Sequence, residues 1–375
     1  MTAWDVAIVG GGPAGLSAAY EAARAGARTV VLEKSVHPRY KTCGGGLIGT
    51  TVGQVDDRIA IPAADRTDTM VITLDGRREI VRRATDGPVL AMVRRAEFDD
   101  RLRAAATRAG AEVRQGVGVR GIEQDPDGVR LRLADGDEVR AATVVGADGS
   151  SGVTARHVGV EYSQVDLGLE VELPIPATLR PQWRGKVLLD WGPIPGSYAW
   201  VFPKDDVLTV GVIAARGSGD RTRAYLKAFV DRVGLGGITP VEDSGHLTRV
   251  RAPESPLRRG RVIVAGDAAG LLEPWTREGI SFATRSGAIA GRHVGGAARS
   301  GDLAGYPAAI DAALGAEMRA GRRLMATFTK RPWAFHAVLA SPPGWRMFRR
   351  WCRGETTFDA LIEKLPIKVA LALLS

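Results

Sequence analysis

The chain has 375 residues, 45% hydrophobic and 25% charged, a balance that excludes a disordered or fibrous protein; the length suits two lobes better than one compact domain. Lys and Arg total 51 against 42 Asp and Glu; the net +9 admits nucleic acid, an acidic small molecule or an anionic membrane as partner, or simply a basic solvated surface. Cys43 and Cys352, the two cysteines, lie far apart in sequence, which argues against a disulfide framework and a thiolate metal site, and no apolar run reaches bilayer length.

The opening "MTAWDVAIVGGG" runs straight into a strand with no secretory segment, so a reducing cytoplasm is the expected location. "DVAIVG" reads as a buried parallel strand, "PAGLSAAYEAARAG" as a helix ending at Gly26, and "RTVVLEK" as a second strand. Residues 47 to 93 are mixed and irregular, with a strand pair around "TMVITLDGRREIVRRA" whose Asp75-Gly76 dipeptide signals a hairpin. "AEFDDRLRAAATRAGA" is helical, and "EVRQGVGVRGIEQD", "GVRLRLAD" and "ATVVGADG" are strands. Residues 160 to 255 read as a β-rich lobe with one helix near "TRAYLKAFVDRVG". "RVIVAGDAAG" returns to the buried-strand pattern, "EGISFATRSGAIAGRHVGGAARSG" is a long helix, and the tail from 305 is mostly helical.

Gly10, Gly12 and Gly15 stand in G-x-G-x-x-G spacing between a strand and a helix, and Glu33 ends the next strand 21 residues after Gly12. Glycines there let the backbone approach a pyrophosphate, and a helix N-terminus offers amide donors. An acid at Glu33 suits an unphosphorylated ribose, hence FAD or NAD rather than NADP. Two further Gly/Asp turns follow apolar strands, at Asp148-Gly149 and Gly266-Asp267. Asp267 suits the ribityl chain of a flavin, or alternatively caps a helix; the helix from Gly279 would aim its positive end at the flavin's pyrimidine edge.

"YAWVFPK" places Tyr198, Trp200 and Phe202 on one strand face, with Pro203 and Lys204 ending the row. The three rings form either an apolar tunnel wall or ordinary sheet core. Cys43, followed by Gly44, Gly45 and Gly46, makes a loop that is either a mobile cover over the cofactor or a packed turn, with His37, Tyr40 and Lys41 beside it. In the tail, Trp333, Phe335, Trp345, Phe348 and Trp351 mix with Arg346, Arg349, Arg350 and Arg353, a composition that suits a peripheral contact at the inner membrane face or a helical cap on the flavin lobe. The closing "VALALLS" is too short to span a bilayer.

The set GxGxxG, "GADG" and "GDAAG" resembles the flavoproteins built on the para-hydroxybenzoate hydroxylase fold. "YAWVFPKDDVLTVG" fits the Y-x-W-x-F-P-K-x₆-G pattern of geranylgeranyl reductases from Tyr198 through Gly211, and "HPRYKTCGGGL" resembles their cysteine–glycine loop. The resemblance spans roughly residues 4 to 300. It implies an α/β fold: a Rossmann-like FAD-binding lobe (1–60, 95–158 and 255–300), an inserted β-rich substrate lobe (61–94 and 159–254) and a helical C-terminal region (301–375). It implies cofactor contacts at Gly10, Gly12, Pro13, Ala14, Gly15, Glu33, Lys34, Gly44, Gly45, Gly46, Arg95, Val119, Asp148, Gly149, Gly266, Asp267, Gly279 and Ile280. "RAEFDDRL" matches the R-x-x-F-D-x-x-L signature that places Arg95 near the cofactor phosphates.

The implied substrate residues are Tyr198, Trp200, Phe202, Pro203, Lys204 and Gly211, with Cys43, Tyr198 and Trp200 as catalytic candidates, Lys204 holding a phosphate or orienting the wall, and no metal. The implied activity is FAD-dependent saturation of isolated C=C bonds in an isoprenoid or prenylated lipid, with NAD(P)H or ferredoxin as electron donor and no nucleic acid partner. A monooxygenase or halogenase of the same fold is the alternative, and a flavin electron-transfer protein a third. Arg277 stands where the family commonly has glycine.

Overall fold

The structure is a computed structural model that describes residues 4–297 and 302–363. Trp4–Val9 lies near the centre of a parallel sheet, paired with Thr29–Glu33 on one side and Glu138–Gly146 on the other. Glu112–Gln115 and Val262–Val264 extend it in parallel on either flank. Their inner residues are almost fully buried, which is why these strands are continuous apolar runs. The helices Pro13–Arg24 and Ile280–Gly296 pack closely on each other; a Cβ at Gly287 would stand 2.1 Å from the Ala14 carbonyl oxygen.

Between Glu138–Gly146 and Val262–Val264 the chain leaves this sheet and builds another. Seven strands run in the order Glu242–Arg251, Tyr162–Pro174, Val207–Ala215, Tyr198–Lys204, Lys186–Trp191, Thr69–Leu74 and Arg77–Arg83. The hairpin at Asp75-Gly76 forms as the dipeptide demands, with φ of 49° and 69°. One sheet face, with Leu169, Val171, Val201 and Val210, packs against the helix Gly219–Arg232. The other face looks toward the first lobe and the tail.

The irregular stretch from 47 to 93 holds more order than its sequence suggests. Gly49–Val55 is a helix, and Ala63–Thr67, Leu90–Val93 and Gly46–Leu47 form a small sheet. The helix sequence, GTTVGQV, has two glycines and four β-branched residues, so its propensity is poor and packing must impose it. The stretch "EVRQGVGVRGIEQD" divides: Glu112–Gln115 joins the parallel core, whereas Val119–Asp125 pairs antiparallel with Gly128–Leu133.

The tail is helical at Ala316–Lys330, Pro332–Ala340, Pro342–Cys352 and Phe358–Ile362. Of the two readings of its aromatics, packing favours the helical cap for most of them. Trp345, Phe348 and Trp351 are buried against Trp275, Phe328 and the sheet residues Met70, Ile72 and Val187. Trp351 stacks on Phe358 with ring centroids 4.4 Å apart. The helix Pro342–Cys352 is amphipathic, so its rings turn inward while Arg346 and Arg350 stay out. Trp333 and Val338 remain exposed. No helix among the described residues is long and apolar enough to cross a membrane, and "VALALLS" lies outside them.

Candidate active site

One cavity of about 810 Å³ runs from the carboxyl ends of the parallel strands to the tail helices. Its first half is a dinucleotide cradle. Gly10, with φ 105°, turns the chain out of the first strand. A Cβ at Gly15 would lie 1.9 Å from the Gly10 carbonyl oxygen, so the turn closes only with glycine there. A Cβ at Gly12 would meet nothing nearer than Arg39 Nη2 at 3.9 Å, leaving that backbone open to the cavity beside the start of the helix Pro13–Arg24. Glu33 accepts from the Gly11 amide at 2.5 Å and from the Ser35 amide at 2.9 Å, which fixes the carboxylate at the cavity rim.

Arg95 begins the helix Arg95–Arg108, is buried, and makes two parallel bonds to Asp99 at 2.9 and 2.8 Å. Burial pulls its pKa down, but Asp99 and the Cys43 side chain outweigh that and hold it charged at the cavity wall. Asp267 sits in the turn Gly266–Ala269 and makes no helix cap. Its carboxylate faces His246 Nε2 at 3.6 Å. Burial works against its ionisation, yet His246, Lys41 and Arg95 together keep it below the usual carboxylate range. Gly279 caps the helix Ile280–Gly296, whose first turn opens on the cavity. Asp148 also lines the cavity, but its carboxylate binds the amide and hydroxyl of Thr154.

Several buried polar atoms facing this space lack a hydrogen-bond partner within the protein: Ser150 Oγ, Thr248 Oγ1 and Trp200 Nε1. Buried polar groups are normally paired, so the cavity is built for a polar ligand. The glycine cradle, the Glu33 carboxylate, the Arg95 cation and the helix N-terminus at Gly279 fit FAD.

The seven-stranded sheet supplies the rest. Register places Tyr198, Ile213, Gly168 and His246 in one row across four strands, and Trp200, Gly211, Glu170 and Ser244 in the next. Phe202, Thr209 and Glu172 form a third. Directly paired residues point to the same face. The face is therefore apolar and aromatic on one half and polar on the other. Gly211 marks the border: the Trp200 indole lies over it.

What covers the polar half is the cysteine–glycine loop. A Cβ at Gly44 would come 2.8 Å from the Phe202 ring and 3.3 Å from Trp200 Nε1. The glycines thus permit contact with the aromatic wall. Side chains hold both polar groups of the Cys43 backbone: its amide donates to Glu170 Oε1 at 2.7 Å, and its carbonyl accepts from Lys204 Nζ at 3.3 Å. Lys204 is 3% exposed and pairs with Glu172 at 3.2 Å. It lies outside the cavity lining, so its ammonium anchors the loop instead of standing free for a phosphate. Pro203 likewise points to the opposite face, and Gly15, Gly211 and Gly266 support the lining without contributing to it.

The aromatic half continues as a channel walled by Tyr198, Trp200, Phe202, Trp191, Met70 and Val187, and closed by Trp275, Phe348, Trp351 and Cys352. Tyr198 donates to the Thr276 carbonyl at 2.5 Å, and burial raises its pKa, so the phenol stays neutral. Arg277, with φ 56°, reaches Asp166 at 3.2 Å, the carbonyls of Trp275 and Gly196, and the Tyr198 ring at 5.7 Å. The bulky cation that departs from the family pattern is thus a buried clamp beside Tyr198 at the cavity lining.

Sequence reading missed Glu170 and the tail residues Phe348, Trp351 and Cys352. "LGLEVEL" alternates strictly, a pattern that ordinarily reads as one face in water. The signal available was the Tyr198–Gly211 motif itself, since an antiparallel partner of Gly211 must share its face.

Comparison with known proteins agrees with this geometry. Residues 3–175 match the model of an FAD binding domain. Digeranylgeranylglycerophospholipid reductase 3 of Methanosphaera stadtmanae is 28% identical, covering 84% of each chain. The chloroplastic geranylgeranyl diphosphate reductase of Oryza sativa is 30% identical over 75% of this chain and 64% of its own. Among solved structures, a geranylgeranyl bacteriochlorophyll reductase-like protein of Thermoplasma acidophilum superposes with a TM-score of 0.79 at 22% identity, covering all of both chains. A flavin-dependent brominase has the same fold, with a TM-score of 0.78 at 20% identity.

Fold and site define an FAD-binding oxidoreductase with a Rossmann-like lobe, an inserted β-rich lobe and a helical C-terminal region. Within that class the chain is similar to reductases named for geranylgeranyl and digeranylgeranyl groups.

Proposed function

We propose that this protein saturates isolated C=C bonds of a geranylgeranyl or longer polyprenyl group, carried on a diphosphate, a glycerolipid, a quinone or another prenylated product. The observation that carries the reading is the continuity of one cavity, polar at the glycine cradle and greasy between the sheet and the tail helices. Reduced FAD supplies the hydride when bound. The chain's own residues do the rest. An isolated trisubstituted alkene has no conjugated group to absorb charge, so positive charge develops at its tertiary carbon. Tyr198 and Trp200 offer aromatic faces to that charge, and the buried channel keeps water from capturing it.

NAD(P)H or ferredoxin is proposed as the electron source. A lipid-borne substrate would be met at a membrane surface, where exposed Trp333 and Val338 offer apolar contact. A monooxygenase or halogenase remains the second reading because a brominase shares the fold. Against it, halogenases carry a W-x-W-x-I-P stretch, whereas Tyr198 and Phe202 stand at the first and third of those positions here.

Anaerobic reduction of the holoprotein, followed by addition of geranylgeranyl diphosphate or a digeranylgeranyl glycerolipid, tests this. Flavin reoxidation with a gain of two hydrogens in the lipid is expected. Product that requires oxygen or halide, or no reoxidation by any prenyl compound, overturns it.

A further inference from the structure

Saturation of an alkene consumes a proton as well as a hydride, so the site needs an acid at the channel. Glu170 is the acidic side chain that the sheet register sets in the Trp200 row, 1% exposed, at the boundary between the aromatic and polar halves. Its Oε1 accepts from the Cys43 amide at 2.7 Å and from the Tyr40 hydroxyl at 2.9 Å. Both donors bind the same oxygen, so a proton carried by the carboxyl belongs on Oε2. Tyr40 is 39% exposed, and its hydroxyl lies 2.9 Å from Ser244 Oγ, which Thr42 also bonds. A hydrogen-bonded path thus links the solvent to Glu170.

Burial favours its holding that proton, while the charges around it oppose one another. Lys204, the cation of this sheet face, is paired with Glu172 at 3.2 Å and is also the main influence drawing the Glu170 pKa down against burial. Glu172 is itself a like charge on the same strand face. Lys41, on the covering loop, is half-buried, and its partial burial is the main cause of its lowered pKa. Burial raises the pKa of Glu170, and Glu172 adds to the rise, against Lys204, the Cys43 amide and Tyr40.

We propose that Glu170 is the acid that protonates the alkene, and that Tyr40 and Ser244 return the proton to it from solvent. The assignment rests on the prenyl-reductase reading. The π bond breaks and two C–H bonds form. Bound reduced flavin would supply hydride, with its electron pair, to one carbon and would be oxidised by two electrons. The other receives the proton from Glu170 Oε2. The carboxylate then takes a proton from Tyr40 at Oε1, Tyr40 recovers one through Ser244, and a half-turn of the carboxyl presents it to the channel again.

Glu170→Gln keeps an oxygen acceptor for Cys43 and Tyr40 and removes only the proton. In the infrared spectrum of the flavin-free protein near neutral pH, the wild type should show a protonated carboxyl C=O band that Glu170→Gln lacks. With FAD content unchanged, single-turnover reoxidation by geranylgeranyl diphosphate should slow by about 100-fold or more. Tyr40→Phe should retain the band and a normal first turnover but slow the later ones. Reoxidation of Glu170→Gln at the wild-type rate, or a wild type without the band, overturns the assignment while leaving the reductase reading intact. A wild type that no prenyl compound reoxidises overturns the reading itself.

Discussion

Gly211 lies directly across the strand pair from Trp200, and a Cβ added there would come within 2.1 Å of the indole Cζ2. The absence of a side chain on one strand sets where the ring of its neighbour rests. Gly211→Ala should therefore displace the indole from the sheet, lower stability by about 1–3 kcal/mol, and abolish prenyl saturation while the flavin lobe still binds FAD. Urea unfolding and flavin absorbance measure the two effects separately. A variant with wild-type turnover would show that the indole's seat is not required.

Gly44 makes the matching contact from the other side, 2.8 Å from the Phe202 ring for an added Cβ. Gly44→Ala should lift the cysteine–glycine loop from the wall and weaken FAD retention on dialysis, because Gly44 and Gly46 line the cavity beside Arg95. Gly53→Ala, whose Cβ meets nothing within 4 Å, is the control expected to change neither.

Asp166 is 1% exposed, and Arg277 provides its cationic partner at 3.2 Å. Arg277→Gly restores the residue common in the family and relieves a positive φ, worth about 1 kcal/mol. It also strands a buried carboxylate, at a cost of about 3–5 kcal/mol. A net loss of several kcal/mol in chemical denaturation is expected, partly recovered by adding Asp166→Asn. A neutral or stabilising Arg277→Gly would show that the clamp is dispensable.

Glu273 is buried, its Oε1 lacks a partner, and burial pushes its pKa up to about 7. A carboxyl whose pKa is raised on folding stabilises the protein fully at low pH and loses that contribution as pH climbs through the folded value. Between about pH 4.5 and 7 the wild type should lose about 3 kcal/mol relative to Glu273→Gln, whose amide does not titrate. Melting temperatures of both proteins across this window test the sign. Glu170 and Glu278 are raised too, also chiefly by burial, so only the difference between the two proteins isolates Glu273.

Cys352 closes the channel from the tail helix. Cys352→Phe should shorten the space available, leaving the flavin spectrum unchanged and shifting preference toward shorter prenyl chains. Competition between geranyl and geranylgeranyl substrates reads this directly. An unaltered preference would place the chain's end elsewhere.

The parts legible in the sequence share a property: their chemistry is local. The Gly10–Gly15 turn, Glu33 at its strand end, the Asp75-Gly76 hairpin and the alternating Tyr198, Trp200 and Phe202 each follow from steric and hydrogen-bonding rules acting over a few residues. Glu170 followed no such rule, because a polar face on a strand means water unless something distant covers it. Only folding brought residues 39–46 over it, joined the Tyr198 wall to Phe348 and Trp351 of the tail, and turned Lys204 from a free cation into an anchor. Burial, and with it every altered pKa and every channel wall, depends on contacts between segments far apart in the chain, and no short stretch of sequence contains them.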